Sequence, residues 1–100
     1  TAVFTSGDTC AIGVFEALAE KNILVPEQMA IVGFDDMKFA PFLRVPLTSV
    51  RQPLEQMGTT AVDLLLKVLR SGPLQPEKII LDADLIVRES CGYGTRRAIT

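Results

Sequence analysis

At 100 residues, with 48% hydrophobic and 22% charged residues, the chain has the composition of a globular core and not of a disordered segment. A net charge of −2 gives no cluster of Lys and Arg to neutralise phosphates, which argues against DNA binding by this segment alone. With no histidine, and with Cys10 and Cys91 far apart and outside any CxxC spacing, no metal site or cofactor is expected and both cysteines read as reduced structural thiols.

Ala2-Val3-Phe4-Thr5 reads as a strand running into Ser6-Gly7-Asp8-Thr9, where Ser6 and Asp8 are expected N-caps of a helix. That helix carries Ala11, Ile12, Val14, Phe15, Ala17 and Leu18 at helical spacing and extends to about Asn22. Gly7 admits two readings, a turn residue with positive φ or a place where backbone N–H groups meet a ligand. Pro26 prevents helix continuation, so strand, helix and strand form a βαβ unit with parallel strands.

The second strand is the most informative stretch. Met29-Ala30-Ile31-Val32-Gly33-Phe34 is apolar without alternation, the pattern of a strand buried on both faces of an α/β sheet, and it stops at Asp35-Asp36. In open α/β sheets ligands sit beyond the carboxyl ends of the strands, which is where these two carboxylates fall. Each is equally a turn former or an N-cap, and adjacent residues point to opposite sides, so at most one faces a ligand while the other bonds to loop backbone.

Phe39, Phe42 and Leu43 lie in a segment interrupted by Pro41 and Pro46, on a short helical turn or loop, where they either cap the core or form an exposed apolar patch. Leu47-Thr48-Ser49-Val50-Arg51-Gln52 is a further strand, and Pro53 opens a long amphipathic helix that Gly72-Pro73 stops. Its apolar face carries Leu54, Met57, Ala61, Leu64, Leu65, Val68 and Leu69. Two strand-length apolar runs follow, at residues 78–82 and 85–88, close enough for a hairpin. Residues 93–100, with Arg96 and Arg97, read as a solvated tail. No apolar stretch reaches the roughly 18–20 residues that span a bilayer, and no signal-peptide pattern is present.

The order Ala2-Val3-Phe4, Gly7-Asp8, Ala11-Ile12-Gly13, Val25-Pro26-Glu27, Ile31-Val32-Gly33-Phe34-Asp35-Asp36, Pro46-Leu47-Thr48-Ser49-Val50-Arg51-Gln52-Pro53 and Val87-Arg88-Glu89-Ser90 resembles the C-terminal part of the lactose-repressor/galactose-repressor family of transcriptional regulators. The resemblance covers about residues 1–92. It implies an α/β, periplasmic-binding-protein-like fold of two lobes with a parallel sheet, of which this chain is the C-terminal portion. Residues 1–52 and about 85–90 would belong to one lobe and residues 53–82 to the other, in place of a hairpin. It further implies that Asp35, Gln52, Leu54 and Gly7 meet a small-molecule effector, with Asp36 holding the loop. Gly7 stands where the family commonly has an Asn that hydrogen-bonds a sugar. Ile12, Phe15, Glu16, Phe42 and Leu43 are the implied contacts of a homodimer.

The expected function is the effector-binding and dimerisation segment of a cytoplasmic bacterial regulator, with a sugar or related metabolite controlling DNA binding by an N-terminal helix-turn-helix domain outside this chain. The alternative is a periplasmic sugar-binding protein of a transporter. An enzyme is not expected, because no His and no nucleophile motif is present and adjacent carboxylates do not flank a scissile bond. Alone, the segment is expected to expose the apolar face of its long helix and to aggregate.

Overall fold

The computed structural model describes residues 1–73 and 75–94. The expected tail therefore lies outside the described residues from position 95 on, Arg96 and Arg97 included. The chain divides into two compact units, Thr1–Arg51 together with the chain from Asp84 onward, and Gln52–Ala83.

The first unit is an α/β sheet of four strands in the order β1 (Ala2–Phe4), β2 (Ala30–Phe34), β3 (Thr48–Arg51) and β4 (Asp84–Ile86). β1 and β3 flank β2 in parallel, with Val3 opposite Ile31 and Gly33 opposite Ser49. β4 runs antiparallel to β3, so the sheet is mixed where a parallel one was expected. The apolar run of residues 78–82 forms no strand. Apolar composition alone does not make one, because a strand requires a neighbour for its backbone N–H and C=O groups.

Helix α1 (Asp8–Glu20) joins β1 to β2. Its N-cap is Gly7, not Ser6 or Asp8, and no side chain caps it. Asp8 is instead the first helical residue, where a carboxylate complements the positive end of the helix dipole. Gly7 has φ −168°, an extended value, so the positive φ considered for it is not adopted. The helix ends on Asn22 at φ 57°, with Ile23 N–H donating to Leu18 O and Asn22 N–H to Ala19 O. These two bonds form the left-handed C-terminal closure for which Asn is the usual substitute for Gly.

The core of this unit is small. Ala11 of α1, Ile31 of β2, Leu47 before β3 and Ala40 are fully buried, and Val14, Phe15, Leu18, Val25 and Leu43 pack on them. Ala40–Phe42 is one turn of 3₁₀ helix with Pro41 inside it, which buries Ala40 and turns Phe42 outward at 85% exposure. The three large side chains thus divide: Leu43 packs on the core, Phe39 is half-buried and Phe42 is exposed. Cys10, expected to be structural, is exposed on α1, and Cys91 is half-buried.

The second unit is built on helix α2 (Leu54–Ser71), with Pro53 at its N-cap and Gly72 at φ 78° closing it. No residue of α2 is buried, and its apolar stripe is open, Leu65 being 57% and Leu69 72% exposed.

Gly33 is the tightest position in the sheet. A Cβ there would overlap Asp8 Oδ1 and stand 2.9 Å from Leu47 Cδ2. Gly33→Ala is expected to cost about 1–3 kcal/mol of stability, the range for overpacking, read as a lowered denaturant midpoint of the protein at unchanged m-value.

Candidate functional site

The carboxyl end of β2 turns sharply. Asp35 has φ 105° and Asp36 φ 51°, consecutive positive values at non-glycine residues. Such conformations cost on the order of 1–3 kcal/mol each and persist only where the surroundings over-determine them. Here three successive backbone N–H groups are committed to two neighbouring elements, two of them to β3 and one to α1. Asp35 N–H donates to Val50 O of β3 at 2.9 Å, Asp36 N–H to Ser49 Oγ at 3.0 Å, and Met37 N–H to Asp8 Oδ2 of α1 at 2.7 Å.

Asp8 and Ser49 are both fully buried, and the Ser49 hydroxyl, while accepting from Asp36, donates to Asp8 Oδ1 at 2.7 Å. Both oxygens of the buried carboxylate are therefore hydrogen-bonded, which is the condition for keeping such a group out of water.

Asp36 is the second fixed carboxylate. Arg51 Nε donates to Oδ2 at 2.7 Å, and Arg88 Nη1 stands 2.7 Å from Oδ1. Arg88 Nη1 gives its aligned hydrogen bond to Leu47 O at 2.8 Å, so Oδ1 is held by charge and has no well-directed bond of its own. The Asp36 side chain is 6% exposed. Burial pulls its pKa upward, but the guanidiniums of Arg88 and Arg51 outweigh that and hold the carboxyl below its ordinary value.

Asp35 lies between these fixed points on the turn, and its Oδ2 is next to Gly7, since a Cβ on Gly7 would stand 3.4 Å from it. The ends of β1 and β2 thus bring Gly7 and Asp35 together, as expected of the first two βα turns in such a sheet. Gln52 and Leu54 belong to the second unit, at and before the start of α2. There Leu54 lines a shallow depression with Pro53, Glu55, Gln56 and Thr59.

Of the residues expected as dimer contacts, Ile12 is half-buried, Phe15 and Leu43 pack on the core, and Glu16 and Phe42 are exposed. Asp8, Ser49, Arg51 and Arg88 carry the site's framework and had no such role in the sequence reading. Asp8 carries a signal, a carboxylate between two apolar elements, but in the sequence it reads as a cap. Arg88 and Ser49 find their partners only in the folded chain. Among the described residues no group of three His, Cys, Asp or Glu side chains could hold a metal ion, and no helix is long and apolar enough to cross a membrane.

An α/β unit that sets a carboxylate at the end of its central strand, on a turn locked by its neighbours, has the arrangement at which open α/β sheets meet small molecules. The profile of the periplasmic binding protein-like domain matches residues 1–91, and the chain belongs to that family. Within it the chain resembles the lactose-repressor/galactose-repressor regulators, as its motifs implied. It is 44% identical over 91 residues to the transcriptional repressor MelR of Bacillus subtilis, covering 91% of this chain and 26% of MelR. To the ribose operon repressor of Escherichia coli K12 it is 37% identical over 89 residues, covering 89% of this chain and 27% of the repressor. Among solved structures, the transcriptional regulator CelR in complex with cellobiose superposes with a TM-score of 0.82 at 36% identity, over 89% of this chain and 27% of that one. A LacI family regulator of Lactobacillus casei with bound sucrose superposes with a TM-score of 0.72 at 40% identity, over 89% of this chain and 32% of that one. The chain spans about a quarter of the length of the curated relatives it matches. Those relatives are repressors and not enzymes.

Because the folded pKa of Asp36 lies below its ordinary 3.8, its ion pairs add stability above that value and lose it as pH falls through the lowered one. Acid titration of the protein, followed by circular dichroism, is expected to show a less steep loss of stability below pH 3.8 in Asp36→Asn than in the wild type.

Proposed function

We propose that the chain is the effector-binding and dimerisation segment of a cytoplasmic bacterial transcriptional regulator. A small-molecule effector, a sugar or related metabolite, is met at the carboxyl ends of β1 and β2 and controls DNA binding by an N-terminal helix-turn-helix domain outside this chain. The observation that carries this reading is the Asp35 turn. Its strained backbone is fixed by hydrogen bonds to β3 and to α1, and a carboxylate so fixed accepts the paired hydroxyls of a sugar with defined geometry.

Gln52 and Leu54 are proposed as further effector contacts on the strength of the resemblance, and the assignment of residues 53–82 to a second lobe rests on the same ground. The repressor relatives favour a regulator over an exported binding protein of a transporter. Effector binding acts on DNA affinity only through its differential affinity for the two arrangements of the whole protein.

In the full-length protein Asp35→Ala is expected to weaken effector binding roughly 10- to 100-fold, the loss of one or two hydrogen bonds to a charged group. Calorimetric titration with sugars measures it, and unchanged affinity and induction would sink the assignment.

The proposed homodimer uses Phe42, with Ile12, Phe15, Glu16 and Leu43 around it. Phe42 is the discriminating position, because at 85% exposure it contributes little to the protomer's own core. Phe42→Glu is expected to shift the full-length protein from dimer toward monomer in sedimentation velocity while the far-ultraviolet spectrum stays native. Leu43 packs on the core, so a substitution there confuses folding with association.

A further inference from the structure

The direction in which Asp35 presents its side chain is set by the two peptide planes that flank its Cα. The plane on the amino side is held by backbone alone, Asp35 N–H donating to Val50 O of β3 at 2.9 Å. The plane on the carboxyl side carries the Asp36 N–H, and its acceptor at 3.0 Å is a side chain, the hydroxyl of Ser49. That hydroxyl restrains ψ at a residue whose φ of 105° is left-handed and unfavourable without such support.

Ser49 is suited to this by what lies on its other side. It is fully buried in β3, and its proton goes to Asp8 Oδ1 at 2.7 Å. A carboxylate only accepts, so the Ser49 O–H has one direction and the lone pairs of its oxygen are left to the Asp36 N–H. Asp8 Oδ2 accepts the Met37 N–H at 2.7 Å, so the same carboxylate restrains the turn again two residues beyond Asp35. Resting on the reading of Asp35 as the effector's carboxylate, we infer that Ser49 is a positioning residue of the effector site. Its hydroxyl, oriented by Asp8, aims Asp35 and thereby sets effector affinity, although Ser49 is itself buried away from any ligand. A binding group must be held within about 0.5 Å of its productive geometry, and alanine at position 49 leaves the peptide plane behind Asp35 without its acceptor.

The experiment is a double-mutant cycle on the full-length protein, with Ser49→Ala, Asp35→Ala and the two combined, and with Ser49→Thr, which keeps the hydroxyl. Calorimetric titration with ribose, glucose, sucrose and cellobiose gives the affinity and, through the stoichiometry, the folded fraction. Thermal unfolding of the unliganded proteins is measured alongside. For the sugar that the wild type binds, Ser49→Ala is expected to lose about three- to tenfold in affinity at unchanged stoichiometry, the effect of one hydrogen bond. Ser49→Thr is expected to restore most of that affinity, and the loss is expected to vanish where Asp35 is already replaced. Asp8→Asn removes the acceptor that orients the hydroxyl while keeping the shape of the side chain, and is expected to lose affinity in the same direction, which gives the same reading should Ser49→Ala fail to fold. A lowered unfolding temperature at wild-type affinity makes Ser49 purely structural and overturns the inference, as does a loss of equal size in the Asp35→Ala background. Unaltered binding in Asp35→Ala, or a wild type that binds none of the four sugars, rejects the reading of the site beneath it and the inference with it.

Discussion

A single carboxylate with no exposed surface, that of Asp8, is where the first unit is tied together. It sits in the first turn of α1, and its oxygens reach the turn after β2 through Met37 N–H and the strand beside it through Ser49 Oγ. A buried charge is unfavourable unless its hydrogen-bond capacity is met, so the strand ends, the turn and the helix must hold their relative positions for this one to be tolerated. Gly33 follows from the same constraint, because only a residue without Cβ leaves the carboxylate its place over β2.

The strain at Asp35 and Asp36 belongs with this carboxylate. Two left-handed residues in succession are unfavourable in isolation, and the fold holds them by giving the turn's N–H groups acceptors that extended backbone would not reach. The return segment closes the other end of the strands. Ser90 Oγ donates to Ile31 O and accepts from Thr48 N–H, its own carbonyl accepts from Ile31 N–H, and Arg88 N–H donates to Thr48 Oγ1. Strands as short as these gain much of their definition from such side-chain bonds, since few ladder bonds are available to them.

What the sequence made legible was what periodicity and punctuation encode. The unbroken apolar run into Gly33 and Asp35 marked the central strand because a strand covered on both faces needs no polar alternation. Pro53 and Gly72 marked α2 because each has a backbone reason to stand at a helix end. The failures have one physical source. Residues 78–82 looked like a strand because composition measures apolarity, while strandedness is a pairing. Gly7 looked like a positive-φ turn because glycine permits that conformation, and permission is not use. Asp8 looked like a cap because its neighbours in sequence were visible and its partners, Met37 and Ser49, were not. Arg88 was legible only as part of a motif, since the carboxylate it neutralises lies far back in the chain.

The pair Asp35-Asp36 divides two tasks between adjacent residues. Asp36 faces Arg51, the last residue before the chain passes into the second unit, and Arg88, which follows soon after the chain has returned at Asp84. One carboxylate is therefore ion-paired to the end of β3 and to the segment that follows β4. Asp35, one peptide bond away, is the carboxylate proposed to meet the effector. A doubly paired, nearly buried carboxylate at Asp36 fixes the backbone beside the proposed contact, and a fixed backbone is what a defined hydrogen-bond geometry at Asp35 requires.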